Sequence, residues 1–132
     1  MTVELYWLIL TSLMTALFWL PYVLDRMMVR GLMGALANPS ASDKPQSDWA
    51  QRSIRAHSNA VENLVVFAPL AIATHVLGAG SALTATMCMA YFVARLTHFV
   101  VYTAGIPIIK TPAFAVGFAA QAVLALNLLG ML

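Results

Sequence analysis

Along this chain the polar positions gather into short stretches, and four apolar segments run between them. Residues 5–24 carry no charge. At about 1.5 Å of rise per residue their length reaches the roughly 30 Å of a bilayer core, which predicts a first membrane span. Pro21, near its end, predicts a kink, and Asp25, Arg26 and Arg30 mark the exit into water. The segment ANPSASDKPQSD (37–48) is rich in Pro, Ser and Asp, residues that favour turns, and predicts the one substantial loop. Ser47 or Asp48 is placed to cap the next helix, and Trp49 stands where an interfacial aromatic belongs. A second span is predicted over about 49–77, polar in its first four turns and apolar afterwards. GAGS (78–81) reads as a tight hairpin, and a third span over about 82–104 ends at GIP (105–107). The fourth span, about 111–132, contains AFAVGFAAQA, whose small residues suit close helix packing in lipid. The fold class predicted is all-α, an integral membrane four-helix bundle forming one domain over 1–132.

Composition supports that reading. The chain is 61% hydrophobic and 9% charged, and five acidic and seven basic side chains are too few to cover a soluble globule of this size. The single cysteine, Cys88, has no partner in the chain, so a disulfide framework is excluded. Glu4 stands where a signal peptide carries basic residues, and no small-residue cleavage pattern follows, so the first span is expected to be retained. A net charge of +2 spread over connecting segments forms no basic stripe, and no nucleic-acid partner is predicted. Arg26, Arg30, Lys44, Arg52, Arg55 and Lys110 all fall at one end of the predicted bundle. The positive-inside rule makes that end cytoplasmic and puts both termini and GAGS on the opposite side, the periplasm in a bacterium.

The head of the second span raises the question of function. Arg55, Asn59 and Glu62 are spaced by four and three, which puts them on one helix face, and Arg52 extends the stripe toward the loop. Tyr91, Arg95, His98 and Tyr102 form a second stripe in the third span, at spacings of four, three and four. Two stripes at comparable depth on adjacent antiparallel helices predict a shared polar cavity open toward the cytoplasmic face. An ionised arginine or glutamate at membrane depth is costly unless paired or wetted, so Arg95 and Glu62 are expected to pair. The bland alternative is that this pair only pins two helices together. One glutamate cannot neutralise Arg52, Arg55 and Arg95, however, and a cavity with surplus positive charge favours an anionic ligand. A small peptide-like molecule with two carboxylates and an ammonium group suits this set of donors and the one carboxylate. Glutathione is one such molecule.

RAHSNAVEN (55–63) resembles the second-helix signature of the MAPEG family, the membrane-associated proteins in eicosanoid and glutathione metabolism. ARLTHFVVY (94–102) resembles the third-helix motif of the same family, with arginine, histidine and tyrosine in register. The resemblance extends over essentially the whole chain and is nearest to bacterial-type, microsomal glutathione transferase-like members. It implies a homotrimer in the membrane, in a bacterium the inner membrane, with glutathione as co-substrate bound between neighbouring protomers. It further implies that Arg55, Asn59 and Glu62 hold glutathione from the second span and Arg95, His98 and Tyr102 from the third, and Arg52, which extends the stripe, is expected to join the binding set. His57, on another face of the second span, is implied to reach the neighbouring subunit's site, and Arg26 and Arg30 resemble arginines that an adjacent protomer contributes. Two positions depart from the pattern: Lys110 stands where thiolate-forming members usually carry an arginine, and Asn63 replaces a tyrosine found in some members.

The implied chemistry is a cation near the glutathione sulfur, Lys110, Arg30 or Arg26, that favours thiolate for attack on a lipophilic electrophile arriving from lipid along spans one and four. The same thiolate suits reduction of a lipid hydroperoxide. The rival class is a non-catalytic membrane scaffold or binding protein of the same fold. A transporter fits less well, because four short spans lack an inverted repeat. His98 reads equally as a packing histidine bonded to a carbonyl, Tyr91 as a packing residue, and Gln121 and Asn127 as interhelical hydrogen-bonders. His75 receives no role, and no spacing of His57 and His98 supports a metal site.

Overall fold

The computed structural model describes residues 1–132, folded as five helices with no strands. These are α1 (Val3–Leu17), α2 (Trp19–Leu36), α3 (Asp48–Val76), α4 (Ala82–Ala104) and α5 (Lys110–Leu128). Together α1 and α2 make one candidate membrane span, and α3, α4 and α5 supply the other three. The 23 residues of α4 alone reach about 35 Å at 1.5 Å per residue. Only 27 of 132 residues are buried, so most apolar side chains face outward, an arrangement suited to lipid.

The kink predicted from Pro21 lies one turn earlier, between Leu17 and Trp19. Proline lacks an N–H and its ring clashes with the carbonyl four residues back, so Pro21 disrupts the ladder at Leu17. The Phe18 N–H bonds Thr15 O instead, and the Phe18 ring wedges inward, stacked on Phe99 with centroids 3.7 Å apart. Helix α2 then continues past Arg30 to Leu36, with a break at Gly31, whose φ of 71° lies in the left-handed region. Asp25, predicted to mark the exit into water, is buried. Its carboxylate accepts hydrogen bonds from the Ser47 N–H and hydroxyl and from Gln46 Nε2. Ser47 does sit at the N-cap of α3, but its hydroxyl is committed to Asp25 instead of the helix.

The other end is tied as firmly. Ser81 and Thr84 form a reciprocal capping box at the start of α4, and the Thr84 hydroxyl donates to the buried Glu4 carboxylate at 2.6 Å. Asn127 Nδ2 reaches Ala79 O at 3.5 Å. The termini and the 78–81 hairpin therefore share one end, and the 37–47 and 105–109 connections share the other. The last helix stops at Leu128, short of the predicted 132, with Gly130 at a φ of 71°. One core cluster joins Leu8, Phe67, Cys88, Tyr91, Ala120 and Leu124 from four helices, and a second joins Phe18, Ala56, Ala60 and Phe99. Alanines at these contacts let helix backbones approach closely, the usual basis of packing in lipid.

Candidate functional site

At the end of the bundle shared by the 37–47 and 105–109 connections, the head of α3 meets the tail of α4. Arg52 Nε donates to Thr103 O at 3.1 Å, satisfying a carbonyl in the last turn of α4. Its guanidinium then lies against Gly105, which ends α4 in the left-handed conformation at φ 77°. A Cβ at Gly105 would stand 3.1 Å from Arg52 Cζ, so this turn needs glycine for space as well as for backbone angle.

Two neighbouring clefts open here. The first, about 250 Å³, is lined by Arg52, Arg55, Tyr102, Gly105, Ile106, Pro107 and Lys110. The second, about 330 Å³, is lined by Ile54, Arg55, Ser58, Asn59, Glu62, His98 and Tyr102. Arg55 and Tyr102 border both, and Lys110 Nζ sits 4.9 Å from the centre of the Tyr102 ring. The structure thus brings Arg52, Arg55, Asn59, Glu62, His98, Tyr102 and Lys110 around one trough. Three cationic side chains face one carboxylate in it, so its field favours an anion, and Glu62 leaves one position suited to a cationic group.

Arg95 departs from the expectation. It forms no pair with Glu62; the single ion pair in the molecule joins Arg30 and Asp43 at 3.4 Å. Arg95 is 2% exposed and lies behind the trough, with NH1 donating to Asn59 Oδ1 at 2.9 Å. Its guanidinium carbon is 5.4 Å from the centre of the Phe114 ring, and Nε and NH2 have no hydrogen-bond partner. The cause is geometric. Asn59, one turn nearer the connection than Glu62, is level with Arg95, whereas Glu62 turns outward and is exposed. Tyr91 lies deeper still, stacked on Phe67 at 3.8 Å, and is outside both clefts.

Three other predicted residues lie elsewhere. His57 is on another face of α3, where Nδ1 meets the Tyr22 hydroxyl at 2.9 Å and the ring packs edge-on to Phe18. Arg26 donates to Gln46 Oε1, and Arg30 donates to Lys44 O, so within one chain both brace the 37–47 connection and neither lines the trough. His98 packs its ring against Tyr102 and Phe114 and borders the second cleft. Gln121 Nε2 does bond across helices, to Asn63 O at 3.0 Å, and Asn63 Nδ2 bonds Asn59 O at 2.8 Å.

Sequence reading missed Ile54 and Ser58 in the second cleft. Ser58 lies three residues after Arg55 and four before Glu62, so helical spacing alone places it on the same face.

The MAPEG family model matches residues 4–130, nearly the whole chain. The chain belongs to the MAPEG family. Four membrane-length apolar helices and an all-helical fold accord with the MAPEG four-helix bundle. MAPEG membership indicates a membrane function in glutathione or eicosanoid metabolism, and members of the family generally use glutathione. Neither the curated proteins nor the solved structures compared match this MAPEG chain.

Proposed function

We propose that this protein binds glutathione in the trough between α3 and α4, and acts as a glutathione transferase on lipophilic electrophiles, with lipid hydroperoxides as further substrates. The observation that carries the reading is the convergence of Arg52, Arg55, Lys110 and Glu62, with Asn59 and Tyr102, on two adjoining clefts. Glutathione has two carboxylates for the cations and one ammonium group for Glu62. Lys110 lines the first cleft beside Tyr102, and a positive charge beside the sulfur favours thiolate. The thiolate attacks an electrophilic carbon, a C–S bond forms, and the leaving group departs with its electron pair.

In this reading the protein is a homotrimer with each site at a boundary between protomers. Arg55 and Glu62 are exposed on the flank of α3 alongside Val61 and Val65, and charges at membrane depth require cover or water. A neighbouring copy would supply that cover, and His57, Arg26 or Arg30 would approach from it. The end bearing the trough is taken as cytoplasmic because six of the seven basic side chains belong to it. A bacterial inner membrane is the setting proposed.

A non-catalytic binding role is the second reading, and it draws on one observation: of Lys110, Arg30 and Arg26, the three cations expected beside the sulfur, only Lys110 lines the trough within one chain. Turnover separates the two. Detergent-purified protein is expected to conjugate glutathione to a chlorodinitrobenzene well above the uncatalysed rate, with the rate falling at least tenfold in Glu62→Gln. Binding without turnover would select the scaffold.

A further inference from the structure

Arg95 is the largest of the nearly fully buried side chains, and it lies at membrane depth with no carboxylate beside it. Its only hydrogen bond runs from NH1 to Asn59 Oδ1, and its Nε and NH2 are buried without partners. A guanidinium kept in so costly a place for one amide contact calls for a reason beyond packing.

The chemistry of that contact supplies one. A guanidinium only donates, so the face of the Asn59 amide turned toward Arg95 must be its oxygen. Asn63 Nδ2, another donor, approaches the same Oδ1 at 3.4 Å and the Asn59 carbonyl at 2.8 Å. Both donors hold the amide in one orientation, which leaves Nδ2 as the Asn59 atom offered to the second cleft. We infer that Arg95 is a positioning residue, which fixes Asn59 as a donor to the anionic or carbonyl oxygens of the ligand and does not itself touch it. Helix α5 backs Arg95: the Phe114 ring centre lies 5.4 Å from the guanidinium carbon, and Gly117 faces Arg95 Nε at a distance where a Cβ would make ordinary van der Waals contact. The back wall built by α5 thereby sets the polarity of a cleft that α5 does not line at this depth. This inference rests on the glutathione reading for the identity of the ligand, but the orientation of the amide does not depend on it.

Two variants separate positioning from packing. Asn59→Asp keeps the acceptor for Arg95, gives the buried guanidinium a carboxylate, and replaces the donor facing the cleft with an acceptor. The thermal midpoint of the detergent-solubilised protein is expected to hold or rise while glutathione affinity falls at least tenfold. Arg95→Met removes the buried charge at similar volume, and affinity is expected to fall at least fivefold without loss of thermal stability. Wild-type affinity in either variant, or a fall in Arg95→Met matched by general destabilisation, would overturn the inference. The ligand-free readout is the side-chain amide spectrum of protein labelled with 15N-asparagine, where the signal missing from Asn59→Asp identifies Asn59. That signal is expected to shift in Arg95→Met. An unshifted signal would overturn the positioning role whether or not the wild type binds glutathione, and absence of binding with a shifted signal would overturn only the glutathione reading.

Discussion

At the scale of single residues, the two polar stripes were legible because helical spacing fixes which side chains share a face. Spacing does not fix how far one helix is rotated or slid against its neighbour. Charge alone therefore pairs Arg95 with Glu62, whereas the packed helices bring it to Asn59. Tyr91, the deepest member of its stripe, reads as a packing residue, and it is stacked on Phe67 away from both clefts. Lys110 is the residue whose role is most exposed to test, since it lines the first cleft and lies over Tyr102. As a point charge it can stabilise a thiolate without a planar fork. Lys110→Met is therefore expected to lower conjugation at neutral pH by about tenfold, the effect of roughly 1.4 kcal/mol in transition-state stabilisation, while changing glutathione affinity much less. Steady-state kinetics checks this, and a fall confined to KM would place Lys110 in binding alone.

Among the elements, spans two and three followed from hydrophobic runs bounded by Ser, Gly and Pro, and the helices Asp48–Val76 and Ala82–Ala104 lie within a residue of the predicted limits. The first span was less legible. Its proline acts on the carbonyl four residues back, so the break falls at Phe18 and not at Pro21 itself. Asp25 looked like a solvent marker, since composition alone cannot show that three donors from the 46–47 segment converge on it. That carboxylate ties α2 to the start of α3, the helix carrying Arg52, Arg55, Asn59 and Glu62. Asp25→Asn turns one acceptor into a donor facing Gln46 and Ser47 and leaves buried groups unsatisfied. The expected loss is about 1–3 kcal/mol. A lowered thermal midpoint in detergent, with the trough residues untouched, would show it, and an unchanged midpoint would mean that the latch adds nothing.

Over the whole molecule, charge distribution and fold converge. The apolar exterior is wrapped around a thin core of aromatic, leucine and alanine side chains, and all the charged side chains but Glu4 belong to the half of the bundle that carries the trough. Membership of the MAPEG family gives that polar end a chemical context, and the residues lining it give it a ligand class. The account rests on glutathione occupying the trough between α3 and α4, and calorimetric titration of glutathione into detergent-purified protein tests this most directly. Saturable binding in the wild type, abolished in Glu62→Ala and weakened at least tenfold in Arg55→Ala, is the result predicted. No heat of binding in the wild type, or binding indifferent to both substitutions, would contradict it.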